Sequence, residues 1–309
     1  MSRVSIVMST YNGEKYVAEQ MDSVLSSTYK DIDLYIRDDR SSDHTMDILN
    51  RYCGEYPDII HVSRNEANLG YTLNFLHGVC NTTADYIMLC DQDDVWKSNK
   101  IGDTLKRMRH MEAQLGKELP IAVFTDATVV DGELTEICPS FFKAGRLNPE
   151  KTDLPHILME NKLIGCTVMI NAALRRTIQS RKLPEQARYH DWWIALIAAS
   201  CGRIGFLPQQ TLLYRQHGNN AVGNRNFLSY ITDRITSLQK QREAVHALFK
   251  QAEEFAGLYS EFIPGEQLKI IREFADLQHA GFMKKRMILL RGGYLKTGCI
   301  RNLGLLFII

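Results

Sequence analysis

Three carboxylates within four residues, Asp91-Gln92-Asp93-Asp94, make the densest cluster of chemical groups in the chain. They repel one another and desolvate poorly without a compensating cation. A hard divalent ion with oxygen ligands would supply that compensation and leave coordination positions for phosphates. The competing reading is a solvated acidic turn, which the apolar runs Tyr86–Cys90 before the cluster and Val95-Trp96 after it make harder to sustain. Asp38-Asp39 ends another apolar run. A carboxylate there can accept hydrogen bonds from a ribose hydroxyl or a base N–H, while Ser41, Ser42 and Asp43 are good helix caps. His190-Asp191-Trp192-Trp193 opens a helical run toward Cys201-Gly202. Asp191 can act there as a general base with the tryptophan faces holding a sugar. Equally, it can cap the helix while the tryptophans serve as core. Arg215 has the fork geometry to pair with a diphosphate. Two residues on, His217 is the kind of lone histidine that is usually structural. Cys166 reads as a small buried residue, because no chemistry indicated here needs a thiolate.

The elements that must position these groups follow an alternating rhythm. Val4–Met8 reads as a buried strand, 12–25 as a helix and Leu34–Ile36 as a second strand. Helical spacing over 43–52, a strand at 59–62 and a helix at 73–79 lead to the buried strand Tyr86–Cys90. A helix over 101–115 and a strand over 121–130 come next, then the helix from His190 and a strand at Thr211–Tyr214. This pattern predicts an α/β fold, a doubly wound and mainly parallel sheet with helices on both faces. Ligands bind such sheets beyond the carboxyl ends of the strands. Three polar clusters fall there: STYNGE, DDRSSD and DQDDVW. After about residue 225, at the Gly/Asn-rich stretch GNNAVGNRN, strand signals cease. Helices are predicted over 227–255 and 267–279, separated by Pro264-Gly265. The division expected is 1–225 for the sheet domain and 226–309 for a helical C-terminal appendage.

Seven scattered cysteines, none as CxxC, fit a reducing compartment rather than a disulfide framework or a thiolate zinc site. No secretory signal or membrane-spanning run is apparent, so the expected location is cytoplasmic. The net charge of +1 is uneven. Phe282 to Ile309 holds Lys284, Lys285, Arg286, Arg291, Lys296 and Arg301 with no acid, which leaves −5 for the remainder. A basic segment interleaved with apolar residues can lie on an anionic membrane or serve as a dimerising surface. Neither G-x-G-x-x-G nor G-x-x-x-x-G-K-[ST] follows the first strand, which excludes the dinucleotide-binding and P-loop signatures. No nucleic-acid partner is indicated.

STYNGE at 9–14, DDRSSD at 38–43, NLG at 68–70 and DQDDVW at 91–96 together resemble the family 2 glycosyltransferases, in order over roughly the first 225 residues. With the later HDWW and YRQHGNN they resemble its rhamnosyltransferase-like branch, which builds rhamnan and related bacterial wall polysaccharides. The resemblance implies a GT-A fold, inversion at the anomeric carbon, and Mg2+ or Mn2+ held by Asp91 and Asp93 with His217 completing the shell. Thr10, Tyr11, Asn12 and Glu14 would line the nucleoside pocket, with Asp39 on the base or ribose. Asn68, Gly70, Asp91, Gln92 and Arg215 would complete the nucleotide-sugar set. Gly165, Cys166, Trp192 and Trp193 would face the acceptor, and Asp191 would be the catalytic base. The donor implied is dTDP-β-L-rhamnose, with a UDP-hexose as alternative, and the acceptor a lipid-linked oligosaccharide at the inner face of the cell membrane. Arg40 departs from the family, which usually has Gly there, at a position that can need a permissive backbone. A sugar nucleotidyltransferase would want a Gly/Lys/Arg-rich phosphate loop that STYNGE lacks, and a non-catalytic scaffold would lack the acids and His217.

Overall fold

The computed structural model describes residues 3–217 and 238–309. The expected boundary near 225, and the first part of the helix predicted from residue 227, lie outside the described residues. Four parallel strands come first in space and nearly first in sequence: β1 (Val4–Thr10), β2 (Ile32–Asp38), β3 (Ile60–Arg64) and β4 (Tyr86–Cys90). A helix joins each to the next, namely α1 (Val17–Leu25), α2 (Thr45–Glu55) and α3 (Tyr71–Cys80). Every residue of β4 is buried, as befits a strand covered on both faces. The other strands are β5 (Val95–Trp96), β6 (Ile121–Val130), β7 (Glu136–Cys138), β8 (Met169–Asn171) and β9 (Arg203–Arg215). They complete one sheet in the order β3-β2-β1-β4-β8-β6-β9-β5, with β7 beside β6. β8 runs antiparallel to both β4 and β6, so the parallel expectation holds for the first half and for β6 with β9.

Helices cover this sheet through apolar faces at helical spacing. In α4 (Lys100–Leu115) these are Ile101, Leu105, Met108 and Met111. The short helices α5 (Phe141–Gly145), α6 (Leu154–Met159) and α7 (Ala172–Gln179) precede α8 (His190–Cys201). α8 is apolar nearly all round, with Trp192 through Ala198 buried, which marks a helix packed on every side. Its outer cover comes from α9 (Leu238–Tyr259) and α10 (Gly265–Ala275), where Phe249, Phe255 and Phe274 join the same core as the sheet. The C-terminal helices therefore extend the core. They end in α11 (Phe282–Gly292) and α12 (Cys299–Ile308). Glu160 ties this end to the body. It pairs with the buried Lys162, accepts from Thr297 N–H at 2.8 Å and meets Arg301 at 3.1 Å.

The register sets the ends of β1, β2 and β4 along one edge, with Thr10 opposite Asp38 and Met8 opposite Cys90. The segments that follow are zipped together. Asn12 and Ser41, Gly13 and Thr45, and Glu14 and Asp43 are joined by backbone-to-side-chain bonds of 2.8–3.0 Å. Asn12 sits at φ +48, which stops α1 from starting before Val17 and shortens the helix expected from residue 12. Arg40 lies at φ +69, in the left-handed region that glycine enters freely. Its guanidinium donates to the Glu66 carbonyl at 2.8 Å. A side chain in that conformation costs about 1–2 kcal/mol, while one exposed polar contact contributes about 0–1. Arg40→Gly should therefore hold or raise the unfolding free energy by up to about 1 kcal/mol, and the β-branched Arg40→Val should lower it. Chemical denaturation of the three proteins decides this: a loss in the glycine variant would show that the Glu66 contact governs the loop.

Candidate active site

Beyond the strand ends lies a cavity of about 610 Å³ whose walls come from widely separated parts of the chain. Asp91, Gln92 and Asp93 form one wall. Gly165 and His190 to Trp192 form another, and α9 with Lys296 and Ile308 closes it. Gln92 locks the acidic loop to the end of β1, accepting from Tyr11 N–H at 2.8 Å and donating to its carbonyl at 3.1 Å. A Cβ on Gly13 would lie 2.3 Å from the Gln92 amide oxygen, so that lock requires glycine.

The acidic loop divides its groups between two contacts. Asp93 meets His217 Nε2 at 2.8 Å, and the imidazole stacks on Tyr16 with ring centroids 4.9 Å apart. Asp91 and Asp94 turn toward Cys166, and one ligand atom from each of the three lies within 4.8 Å of the others. Burial, then repulsion from Asp94, Asp93 and Asp191, pushes the Asp91 carboxyl well above its ordinary range. Burial and the neighbouring Asp93 raise Asp94 to about 7. Behind the cluster stands Lys100, fully buried over the Trp96 ring and lowered to about 8 by that burial. One buried ammonium does not balance these acids, and the donors suit a hard or borderline divalent cation. Cys166 is a poor ligand for such an ion, because burial drives its thiol far up and keeps it protonated.

Asp191 sits in the first turn of α8 and accepts from Trp192 N–H at 2.7 Å. Burial raises its carboxyl to about 7 against hydrogen bonds from Trp192, Asn161 and Gly165 that lower it. A basic group with that affinity for protons, facing a cavity, is placed for acid–base chemistry near neutral pH.

The remaining expected site residues fall into different places. Tyr11 is half exposed and lines the cavity, as do Gln92, Gly165 and Trp192. Thr10 is buried and donates to Asp38 at 3.1 Å. The side chains of Asn12 and Glu14 accept from Ser42 N–H and His44 N–H, at 2.8 and 2.9 Å, so they hold the neighbouring loop. The carboxylate of Asp39 accepts from Asn65 and from the Leu69 and Gly70 amides, each at 2.8 Å, while Asn68 donates to its carbonyl. That leaves little of Asp39 for a nucleoside beyond one lone pair on the oxygen facing Gly70. Three expected positions need correction. Arg215 is buried, ion-paired with Glu19 and bonded to the Asp93 and Gly132 carbonyls at 2.8 and 2.6 Å, so it braces the acidic loop from behind. Trp193 is fully buried against Phe255 in the core and does not reach the cavity. Cys166 is buried against the acids rather than facing an acceptor.

Sequence reasoning passes over His190. Its ring stacks on Phe75 at 4.0 Å, faces Gly165, and buries both nitrogens without a hydrogen-bond partner among the described residues. Burial lowers it to about 3, so the imidazole is neutral at physiological pH. No local signal marks it, since its environment is made by α3 and the Gly165 turn. Tyr71 and the C-terminal lining residues are missed for the same reason.

An open, mostly parallel sheet with helices on both faces and acids beyond its strand ends is the architecture of the GT-A fold. Solved structures with this fold include S. aureus TarS 1-349 in complex with UDP-GlcNAc, at TM-score 0.57 and 16% identity over 93% of this chain and 75% of that one. Mannosyltransferase PcManGT from Pyrobaculum calidifontis, in complex with GDP-Man and Mn2+, gives 0.58 and 16% over 94% and 73%. Residues 5–116 match the model for Glycosyl transferase family 2. A curated relative, the dTDP-rhamnosyl transferase RfbG of Shigella flexneri, is 28% identical over 231 residues, 70% of this chain and 73% of the relative. The putative glycosyltransferase EpsE of Bacillus subtilis is 26% identical over 243 residues, 78% and 82% of the two chains.

The raised acids make stability depend on pH, and a cation bound at them would change that dependence. Asp94 and Asp191 bind protons near 7 when folded and near 3.8 when unfolded. Between those values the folded state holds more protons, so stability falls as pH rises through the window and the full penalty applies above 7. In chelator, the unfolding temperature should drop between about pH 5.5 and pH 8, and Mn2+ should restore more at the higher pH. An Mn2+ increment that does not change with pH would place the ion away from these acids.

Proposed function

We propose that the protein is an inverting, metal-dependent glycosyltransferase that takes a sugar from a nucleoside diphosphate. One observation carries this reading: Asp191, with its raised carboxyl, opens on the same cavity as Asp91 and Asp93. A divalent cation held by Asp91, Asp93 and His217 would supply positive charge for the donor diphosphate. The chain's own residues do the rest. Asp191 accepts the proton of an acceptor hydroxyl, and that oxygen forms the new bond to the anomeric carbon. The bond from that carbon to the phosphate oxygen breaks on the opposite face, which inverts the configuration. Neutral His190, stacked on Phe75 behind Gly165, adds no charge beside the base. Tyr11 and Tyr71, half exposed at the cavity, offer ring faces to base or sugar.

For the donor we favour dTDP-β-L-rhamnose, in keeping with the likeness to RfbG. A UDP-hexose is the alternative. The acceptor we favour is a lipid-linked oligosaccharide of a bacterial surface polysaccharide. Calorimetric titration with dTDP, UDP and GDP, with and without Mn2+, tests the donor. Mn2+-dependent binding that favours dTDP is the expected result; a preference for UDP would remove rhamnose, and no binding to any nucleotide would remove the transferase reading. Asp191→Asn should lower turnover by about 10²-fold or more while leaving donor affinity nearly unchanged. Loss of donor binding in that variant would make Asp191 a structural residue.

A further inference from the structure

The last two helices each present an exposed apolar stripe. On α11 it is Met283, Met287 and Leu290, spaced i, i+4, i+7, with Met283 74% exposed. On α12 it is Ile300, Leu303 and Phe307, spaced i, i+3, i+7, with Ile300 79% and Phe307 72% exposed. The opposite faces hold Leu289, Leu305 and Ile308 in the core, so the stripes are what remains after folding. Phe282, 66% exposed, lies under the Arg286 guanidinium at 3.3 Å. Large apolar side chains grouped on one stripe of each of two successive helices mark a surface that meets a partner.

Charge selects the partner. Phe282–Ile309 carries six Lys or Arg and no acid; Arg301 pairs with Glu160 and Lys296 lines the cavity, which leaves Lys284, Lys285, Arg286 and Arg291 on α11 for the outer face. In a twofold dimer the same patch meets itself, which would bring cation against cation. An anionic bilayer surface offers the opposite sign together with an apolar layer for the stripes. We propose that α11 and α12 dock this protein on an anionic membrane.

A second cavity, of about 430 Å³, gives that docking a purpose. It is lined by Leu303 and Phe307 of the stripe and by Arg301, and shares Gln241, Lys296 and Ile308 with the cavity that holds Asp191. The docked face thus adjoins a cavity that shares part of its lining with the site, suited to an acceptor whose apolar end stays in the bilayer. This use of the cavity rests on the function proposed above; the docking itself does not.

The test is co-sedimentation of the full chain with phosphatidylcholine vesicles and with vesicles of equal parts phosphatidylcholine and phosphatidylglycerol. Binding to the anionic vesicles alone, weakened by salt, is expected. Lys284→Glu with Lys285→Glu should reduce it about tenfold or more, and Met283→Ser with Phe307→Ser should also reduce it. Both pairs include exposed residues, and unchanged unfolding temperatures confirm their folding. Absence of binding to anionic vesicles, equal binding to both kinds, or binding unchanged in the variants would each overturn the proposal. So would a dimer dispersed by Phe307→Ser in a protein that ignores vesicles. Nucleotide titration of the same samples separates the two readings: intact Mn2+-dependent binding without vesicle binding sinks only the docking, and the reverse pattern sinks only the transferase.

Discussion

Asp91, Asp93, Asp94 and Asp191 are drawn toward one place by elements that have no other reason to meet. The first three follow β4, and Asp191 opens α8 across the cavity. Like charges at such distances oppose folding, and burial removes the water that would screen them. The structure answers with cationic groups set behind the acids. Lys100 lies buried near Asp94 and Cys166, and the Arg215 backbone N–H donates to Asp94 while its guanidinium holds the Asp93 carbonyl. These groups stabilise the loop from the core side.

That constraint explains why the neighbouring loops are zipped so thoroughly. Side chains that could have bound ligand, such as Asn12 and Glu14, instead satisfy backbone amides after β2. Asp39 does the same for the loop that begins α3. Backbone amides buried without partners would each cost about 1–3 kcal/mol, so a loop edge built from polar side chains is both self-satisfied and stiff. A stiff edge leaves little ordering to be done on binding.

Much of this was legible from residue types alone. β4, β6 and α8 match their expected bounds, since continuous burial leaves an unbroken apolar run that ends at a polar residue. β9 is legible only at Thr211–Tyr214, because its first part, with Pro208 and Gln209, is less buried and breaks the pattern. Helix α1 starts late for a reason no local propensity contains: Asn12 is held at positive φ by contacts with Ser41 and Ser42. Within the site, acids at strand ends announce themselves by chemistry and topology together. Arg215 and Trp193 mislead because a fork of donors and a large ring serve a core as well as a ligand, and only tertiary contacts tell which. His190 is silent in sequence because its significance is that its buried nitrogens meet no partner among the described residues.

The C-terminal helices change what kind of object the site is. Without α9 and the residues around Lys296 and Ile308, the edge of the sheet would be an open shelf; with them it becomes a walled cavity. The link that holds this wall is itself electrostatic. Burial would raise the Glu160 carboxyl, but Lys162 and Thr297 outweigh it and keep it below its ordinary range, so Glu160 stays charged between Lys162 and Arg301. Breaking such a buried link by removing one partner costs far more than an exposed pair would. The same short stretch therefore closes the cavity, carries the cations that face outward, and fastens both to the body through one acid. Arg301 of α12 and Thr297 just before it both bond Glu160, which lies in the cavity wall with Asp191.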